Sequence, residues 1–277
     1  MNNRNIAILI DGGFFLKRLN KLVPENDCDS AENVASCIRR MCRNHIRNLT
    51  GEGGSRWQQH VYRIFFYDAL PYEGKAHHPI DNRPIDFAKS DVARYRNELF
   101  DLLRKMRKVA LRLGKVNKDK DWTLSPRLTK KLLKTRQWVN ALEQLEEIEA
   151  GEDTEATAFT FSAEQVASLM KLRDLWNSLD TGAVSLGLRQ KGVDMRIGVD
   201  ITSLTLKRQV DTIILVAGDS DFVPAAKLAR REGIEFILDP LWQQVNADLF
   251  EHIDGLQSGL PRPGSANPHY NPSTLDE

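Results

Sequence analysis

Two short stretches place carboxylates where chemistry is done. Val210-Asp-Thr-Ile-Ile-Leu-Val-Ala-Gly-Asp219-Ser-Asp221-Phe-Val-Pro224 is an apolar, β-branched run ending in Gly218 and two acids one residue apart. Near the start, Asn5-Ile-Ala-Ile-Leu-Ile10 runs into Asp11-Gly-Gly in the same way. Each reads as a buried strand that delivers an acid to its carboxyl end. Carboxylates gathered in one pocket repel, so at neutral pH some must protonate or a cation must neutralise them. Hard oxygen donors with open positions suit Mg²⁺ or Mn²⁺, which keep water and take phosphate oxygens. Such an ion polarises a phosphoryl group and acidifies a bound water, the chemistry of phosphodiester hydrolysis.

These acids need a sheet to hold them. Ile6–Ile10, Val61–Tyr67, Val109–Leu113, Thr212–Ala217 and Ile234–Leu238 are predicted strands, with Asp68 at the end of the second. Helical patterns fall between them, over Phe14–Leu22, Val34–Leu49, Phe87–Arg107, Val193–Lys207 and Pro224–Arg231. Alternating strands and helices predict a parallel sheet covered on both faces. In such a sheet ligands bind beyond the carboxyl ends of the strands, where the strand order reverses. If the first and fourth strands are neighbours, Asp11 converges with Asp219 and Asp221.

The rest of the chain sets bounds. Its 277 residues suit one large domain, or one domain with a sizeable insertion. No apolar run is long enough to cross a bilayer, and no signal peptide is read at the start. Cys28, Cys37 and Cys42 do not make a disulfide framework, which predicts reduced thiols and a cytoplasmic location. The net charge of +1 hides a polarity: 13 Lys or Arg against three acids from Asp101 to Arg136, then seven acids and no base from Glu143 to Glu155. The basic block, from Arg104 to Arg136, is either a solvated helix face or a track for a nucleic-acid backbone. Trp122 and Trp138 within it are read as packing anchors, with base stacking the alternative. Cys37, Cys42 and His45 fit no zinc spacing, and His77-His78 is read as a loop pair.

Residues 75–185 are expected to form a helical insertion. They include a helix from Pro126 to Ala150 and one opened by the capping box Ser162-Ala-Glu-Gln165. After Gln257 the Pro, Gly, Ser and Asn content predicts a disordered tail.

Three motifs in order, Ile10-Asp11-Gly12, Lys191-Gly-Val-Asp194-Met-Arg-Ile-Gly-Val-Asp200 and Ala217-Gly-Asp219-Ser-Asp221-Phe-Val-Pro224, resemble the NYN domain of the PIN-like nuclease superfamily, most closely its LabA-like branch. The resemblance covers roughly residues 4–72 and 186–254. It implies a three-layer α/β/α sandwich with a central parallel five-stranded sheet in the order 3-2-1-4-5. It also implies a Mg²⁺- or Mn²⁺-dependent ribonuclease acting on RNA, most simply single-stranded, with no membrane partner and with a homo-oligomer open. Asp11, Asp200, Asp219 and Asp221 match the family's catalytic and metal-binding acids, and Asp194 matches its Lys-Gly-Val-Asp segment. Asp194 and Asp200 lie six residues apart, about 120° off a common helix face, so both cannot point at one ion. Asp200 is favoured as the ligand and Asp194 as a helix cap or supporting residue. Ser220, Lys191, Lys207, Arg208 and Lys227 are the expected phosphate-binding or supporting groups. Phe14 stands where many family members carry Asn. That departure motivates a second expectation, an RNA-binding or regulatory module without turnover; a phosphohydrolase of a small nucleotide is the third.

Overall fold

The computed structural model describes residues 4–136, 139 and 160–263. In chain order the elements are β1 (Ile6–Asp11), α1 (Gly12–Leu19), α2 (Ala31–Thr50), β2 (Val61–Leu70), β3 (Lys75–His77), β4 (Pro84–Asp86), α3 (Asp91–Lys105), β5 (Val109–Leu124), α4 (Pro126–Lys134), α5 (Ala163–Asn177), β6 (Val184–Lys191), α6 (Val193–Leu206), β7 (Thr212–Val216), α7 (Val223–Arg231), β8 (Glu235–Asp239), α8 (Ala247–Phe250) and β9 (Gly255–Leu256). They divide into two compact units. The first holds residues up to 74, 87–117 and 190 onward; the second holds residues 75–86 and 118–189.

The first unit is built on a parallel sheet. β1 lies between β2 and β7, β2 pairs with β5, and β7 pairs with β8, all in parallel. The core order β5-β2-β1-β7-β8 is the expected 3-2-1-4-5. The complete sheet has seven strands, not five, because β6 is added beyond β5 and the two-residue β9 beyond β8. Neither addition carries an apolar run: β6 ends in Arg189, Gln190 and Lys191, and β9 is Gly255-Leu256.

β1 shows why the unit has three layers. Every residue from Ile6 to Ile10 is fully buried. Because side chains alternate across a strand, Ile6, Ile8 and Ile10 enter one core with α1, α2 and α3, while Ala7 and Leu9 enter the other with α6, α7 and α8. The helices are sharply started. Ser30 caps α2 through Asn33 N, and Ser90 caps α3 through Ala93 N. Gly51, with φ +75°, ends α2 in the left-handed region.

The second unit is not purely helical. It contains the β3–β4 hairpin, the outer half of β5 and most of β6. Residues 87–117, expected inside the insertion, instead supply α3 and the inner half of β5 to the first unit. Within the second unit, the Thr123 hydroxyl donates to Ser185 O at 3.2 Å and Ser125 N to Ala183 O at 3.0 Å. His78 is buried, its Nε2 3.0 Å from Thr181 O, and the Trp122 ring stacks edge-on against it. His78 and Trp122 are therefore packing partners. The Ser162 capping box forms with both of its hydrogen bonds. The basic helix α4 ends at Lys134; Trp138, the acidic run and most of the tail lie outside the described residues. Among the described residues no helix is long and apolar enough to cross a membrane.

Candidate active site

The sheet brings Asp11 and Asp219 to one place. Ile10 and Val216 are direct partners on neighbouring parallel strands, about 4.8 Å apart. Asp11 follows Ile10 at once and Asp219 follows Val216 by three residues, so both emerge at the carboxyl edge. Each carboxylate is fixed by the turn it starts. Asp11 accepts Phe14 N at 3.1 Å as the cap of α1. Asp219 accepts Asp221 N at 3.0 Å as the cap of the Ser220–Phe222 turn leading into α7. Both acids line one cleft of about 970 Å³, together with Gly13, Phe14, Gly218 and Ser220.

Two glycines make this approach possible. A Cβ on Gly12 would stand 2.7 Å from the Phe66 ring and from Tyr67 O, so the chain turns against β2 only without a side chain. A Cβ on Gly218 would stand 2.5 Å from the Phe14 ring. The Phe14 ring thus stands against the backbone that leads to Asp219. The ring fills the space that a polar Asn would have left open.

Burial and neighbouring acids raise two of these carboxylates. Burial pushes Asp11 up to about 6, against the pull of Phe14 N, and the charges of Asp194 and Asp68 add to the rise. Asp194 is also raised, first by burial and then by the charges of Asp219 and Asp221. No cation figures among the groups acting on Asp11 or Asp194. Asp68 is buried at the end of β2, where Arg96 ion-pairs with it and Gln190 Nε2 donates to it at 3.2 Å. Burial raises Asp68 and Arg96 opposes that rise.

Asp200, expected as a ligand, is held by other partners and is absent from the lining of the cleft that Asp11 and Asp219 share. Arg112 Nε and Nη2 donate to its two oxygens at 2.8 Å each, and the Tyr67 hydroxyl donates to Oδ2 at 2.8 Å. The reason is the helical geometry that set Asp194 and Asp200 on different faces. α6 begins at Val193 after a left-handed Gly192, which puts Asp194 in the first turn beside Asp219 and Asp221. Asp200, further along, is turned onto β2 and β5.

Lys207 and Arg208 are also misplaced by the sequence reading. They follow the last turn of α6, about 20 Å along the axis from Asp194 at 1.5 Å per residue. They sit where the chain enters β7, at the opposite edge of the sheet from the acids. Lys227 is exposed on α7, and Lys191 ends β6 beside Gly114. Ser220 lines the acid cleft as expected.

The sequence reading missed the cations that do line the cleft. Lys17, Arg18 and Lys21 come from α1 and the turn after it, and Gln243, Gln244 and Asn246 from the segment after β8. The lysines carry a legible signal, an i, i+4 pair directly after Asp-Gly-Gly; the amides do not.

A model of the NYN domain family matches residues 128–250, the segment that carries Asp194, Asp219 and Asp221. The chain contains an NYN domain. The NYN family belongs to the PIN-like nuclease superfamily. Residues 4–127, with β1, β2 and Asp11, lie outside the matched segment but complete its sheet. No curated protein matches the chain. A protein of unknown function from Vibrio parahaemolyticus RIMD 2210633 is similar at 11% identity over 92% of this chain and 93% of its own, with a TM-score of 0.36, too low to carry an argument.

The donor chemistry of the NYN site fits a hard divalent cation. Asp11, Asp194, Asp219 and Asp221 offer carboxylate oxygens, and burial together with the charges of Asp194 and Asp68 raises Asp11. Among the described residues no three ligating side chains converge on one point. Mg²⁺ does not demand that, since it is commonly held by one or two carboxylates with water and substrate phosphate.

Proposed function

We infer that this NYN protein is a divalent-metal-dependent ribonuclease that hydrolyses phosphodiester bonds of single-stranded RNA. One observation carries the reading: Asp11 and Asp219, which follow directly paired positions of adjacent parallel strands, line one cleft. Asp11 and Asp219 would hold Mg²⁺ or Mn²⁺, with Asp194 and Asp221 at its flank. When bound, the ion supplies phosphoryl polarisation and an acidified water.

The protein's own groups do the rest. Asp11, lifted by burial to about 6 when no cation is present, is the acid that a bound cation would stabilise in its ionised, ligating form. The Phe14 and Asp221 backbone N–H groups orient Asp11 and Asp219, so neither carboxylate must reorganise during the reaction. Ser220 offers a hydroxyl to a phosphoryl oxygen from the cleft wall. Three unpaired cysteines support a reducing, cytoplasmic setting. The Lys191-Gly-Val-Asp194 segment supports the LabA-like branch.

The test is cleavage of single-stranded RNA by the purified protein in Mg²⁺ or Mn²⁺, abolished by EDTA and reduced about 100-fold or more by Asp219→Asn. Cleavage that survives EDTA sinks the reading. A second reading, RNA binding without turnover, is favoured by the Phe14 ring against Gly218. Tight RNA binding with no cleavage in either metal would establish it instead.

A further inference from the structure

The acid cleft has a second wall of opposite character. We propose that Lys17, Lys21, Gln243 and Gln244 bind the sugar–phosphate backbone of single-stranded RNA on one side of the bond placed at Asp11 and Asp219. This assignment rests on the nucleic-acid reading above and gives the strand a path.

Four observations converge. The cleft is about 970 Å³, at the top of the roughly 300–1,000 Å³ range of small-molecule sites, and more than one phosphate group requires. Its acids lie at the ends of β1 and β7, while its lysines project from α1 and the turn after it. Lys17, on α1, and Lys21, in the turn after it, are both exposed and both line the cleft. Neither forms an ion pair among the described residues. The whole chain has a net charge of only +1, so a polyanion is drawn by this local patch and not by the molecule as a whole.

The segment that carries the glutamines is hydrogen-bonded to α1 and to the core. Leu241 and Trp242 both take left-handed backbone angles, φ +47° and +61°. Two successive non-glycine residues keep such angles only where the surroundings fix them, a feature that gathers at ligand clamps. Asp239 Oδ1 accepts Leu241 N at 2.8 Å, Arg18 Nη2 donates to Leu241 O at 2.8 Å, and Trp242 Nε1 donates to Leu260 O at 2.9 Å. Arg18 thereby ties the lysine-bearing helix to the segment that carries Gln243 and Gln244. Both glutamines are exposed and line the cleft, with amide groups that donate to phosphate oxygens and exchange hydrogen bonds with 2′-hydroxyls. The wall is set before a ligand arrives.

The test measures binding separately from cleavage. A fluorescently labelled single-stranded RNA oligonucleotide is titrated with the full chain in EDTA at several salt concentrations, read by anisotropy. Lys17→Gln/Lys21→Gln is expected to weaken binding about tenfold or more at low salt and to flatten the log–log salt slope by about 1.4, two phosphate contacts at roughly 0.7 each. Gln243→Ala/Gln244→Ala weakens binding without changing the slope. Asp219→Asn, which removes a repelling charge at the reacting end, does not weaken binding in EDTA, the opposite direction to the lysine pair. Unchanged circular dichroism confirms that the variants fold. The assignment is overturned if the lysine pair leaves affinity and slope unchanged, or if Lys130→Gln/Lys134→Gln, on α4, has the larger effect. A protein that binds RNA but never cleaves it fails the ribonuclease reading alone. A protein that binds no RNA fails both.

Discussion

Arg112 holds both oxygens of Asp200 at 2.8 Å, from β5 across to α6. The bidentate pair, with Tyr67 donating to the same carboxylate, gives Asp200 a structural task. Asp200→Asn is expected to cost about 1–2 kcal/mol of stability, discounted for the half-exposed arginine, because one charge-assisted contact is lost. RNA cleavage should fall less than about tenfold, against 100-fold or more for Asp219→Asn or Asp194→Asn. Urea melts beside cleavage rates decide it. Equal losses of activity at Asp200 and Asp219 would return Asp200 to the metal site.

Asp11 makes the protein less stable as it ionises. Its native value, about 6, lies above its ordinary 3.8. Between these values the native state keeps a proton that the unfolded chain has lost, so stability falls as pH rises from about 4 to about 6. Asp68 and Asp194 are raised as well and act in the same direction. Asp11→Asn is expected to stabilise the metal-free protein at pH 7 by about 2–3 kcal/mol, two pKa units at about 1.4 each, and to abolish cleavage. Melting curves at pH 4.5 and 7 in EDTA test it; a variant no more stable than wild type at pH 7 refutes the account.

Phe14 and Gly218 form a steric pair. Gly218→Ala places a methyl 2.5 Å from the ring and drives it out of its seat. The expected cost is about 1–3 kcal/mol, with cleavage reduced as the Asp219 turn shifts. Phe14→Ala in the same chain removes the clash and should recover part of both losses. A double-mutant cycle reads the coupling; strictly additive effects would show that the two positions do not interact.

Asp239 anchors the cleft's far wall from inside the core. It is fully buried, 2.8 Å from His45 Nε2, and accepts Leu241 N, Gly259 N and the Ser258 hydroxyl. Burial alone would raise it, but His45, Gly259 and Ser258 outweigh burial and hold it below its ordinary value. Its stabilisation is therefore present above about pH 4 and is lost as pH falls through the native value, the reverse of Asp11. Asp239→Ala is expected to cost about 3–5 kcal/mol and to speed hydrogen exchange at Leu241 and Trp242. Unaltered exchange there would detach the anchor from the wall.

The amino-acid order alone specified a good deal. Apolar runs of five or six residues ending in Asp11 and Asp219 are strand cores buried on both faces, and their period admits little else. The five-strand order and the pairing of the first and fourth strands followed from the resemblance carried by the three acidic motifs. The outer half of β5 and all of β6 escaped because charged residues there hide the strand period. The acids of α6 were seen, but not that Asp200 pairs with Arg112 and Tyr67 while Asp194 feels Asp219 and Asp221. Spacing says that two residues share no face; it does not say which face meets which neighbour. That choice was made by Arg112 and Tyr67, residues 88 and 133 positions away from Asp200 in the chain. The far cleft wall was equally invisible, since Gln243 and Gln244 gain meaning only when β8 brings them opposite α1. Local sequence fixes which side chains leave a strand end together, because that depends on backbone period; long-range packing decides which of them meet, because that depends on partners the local pattern does not contain.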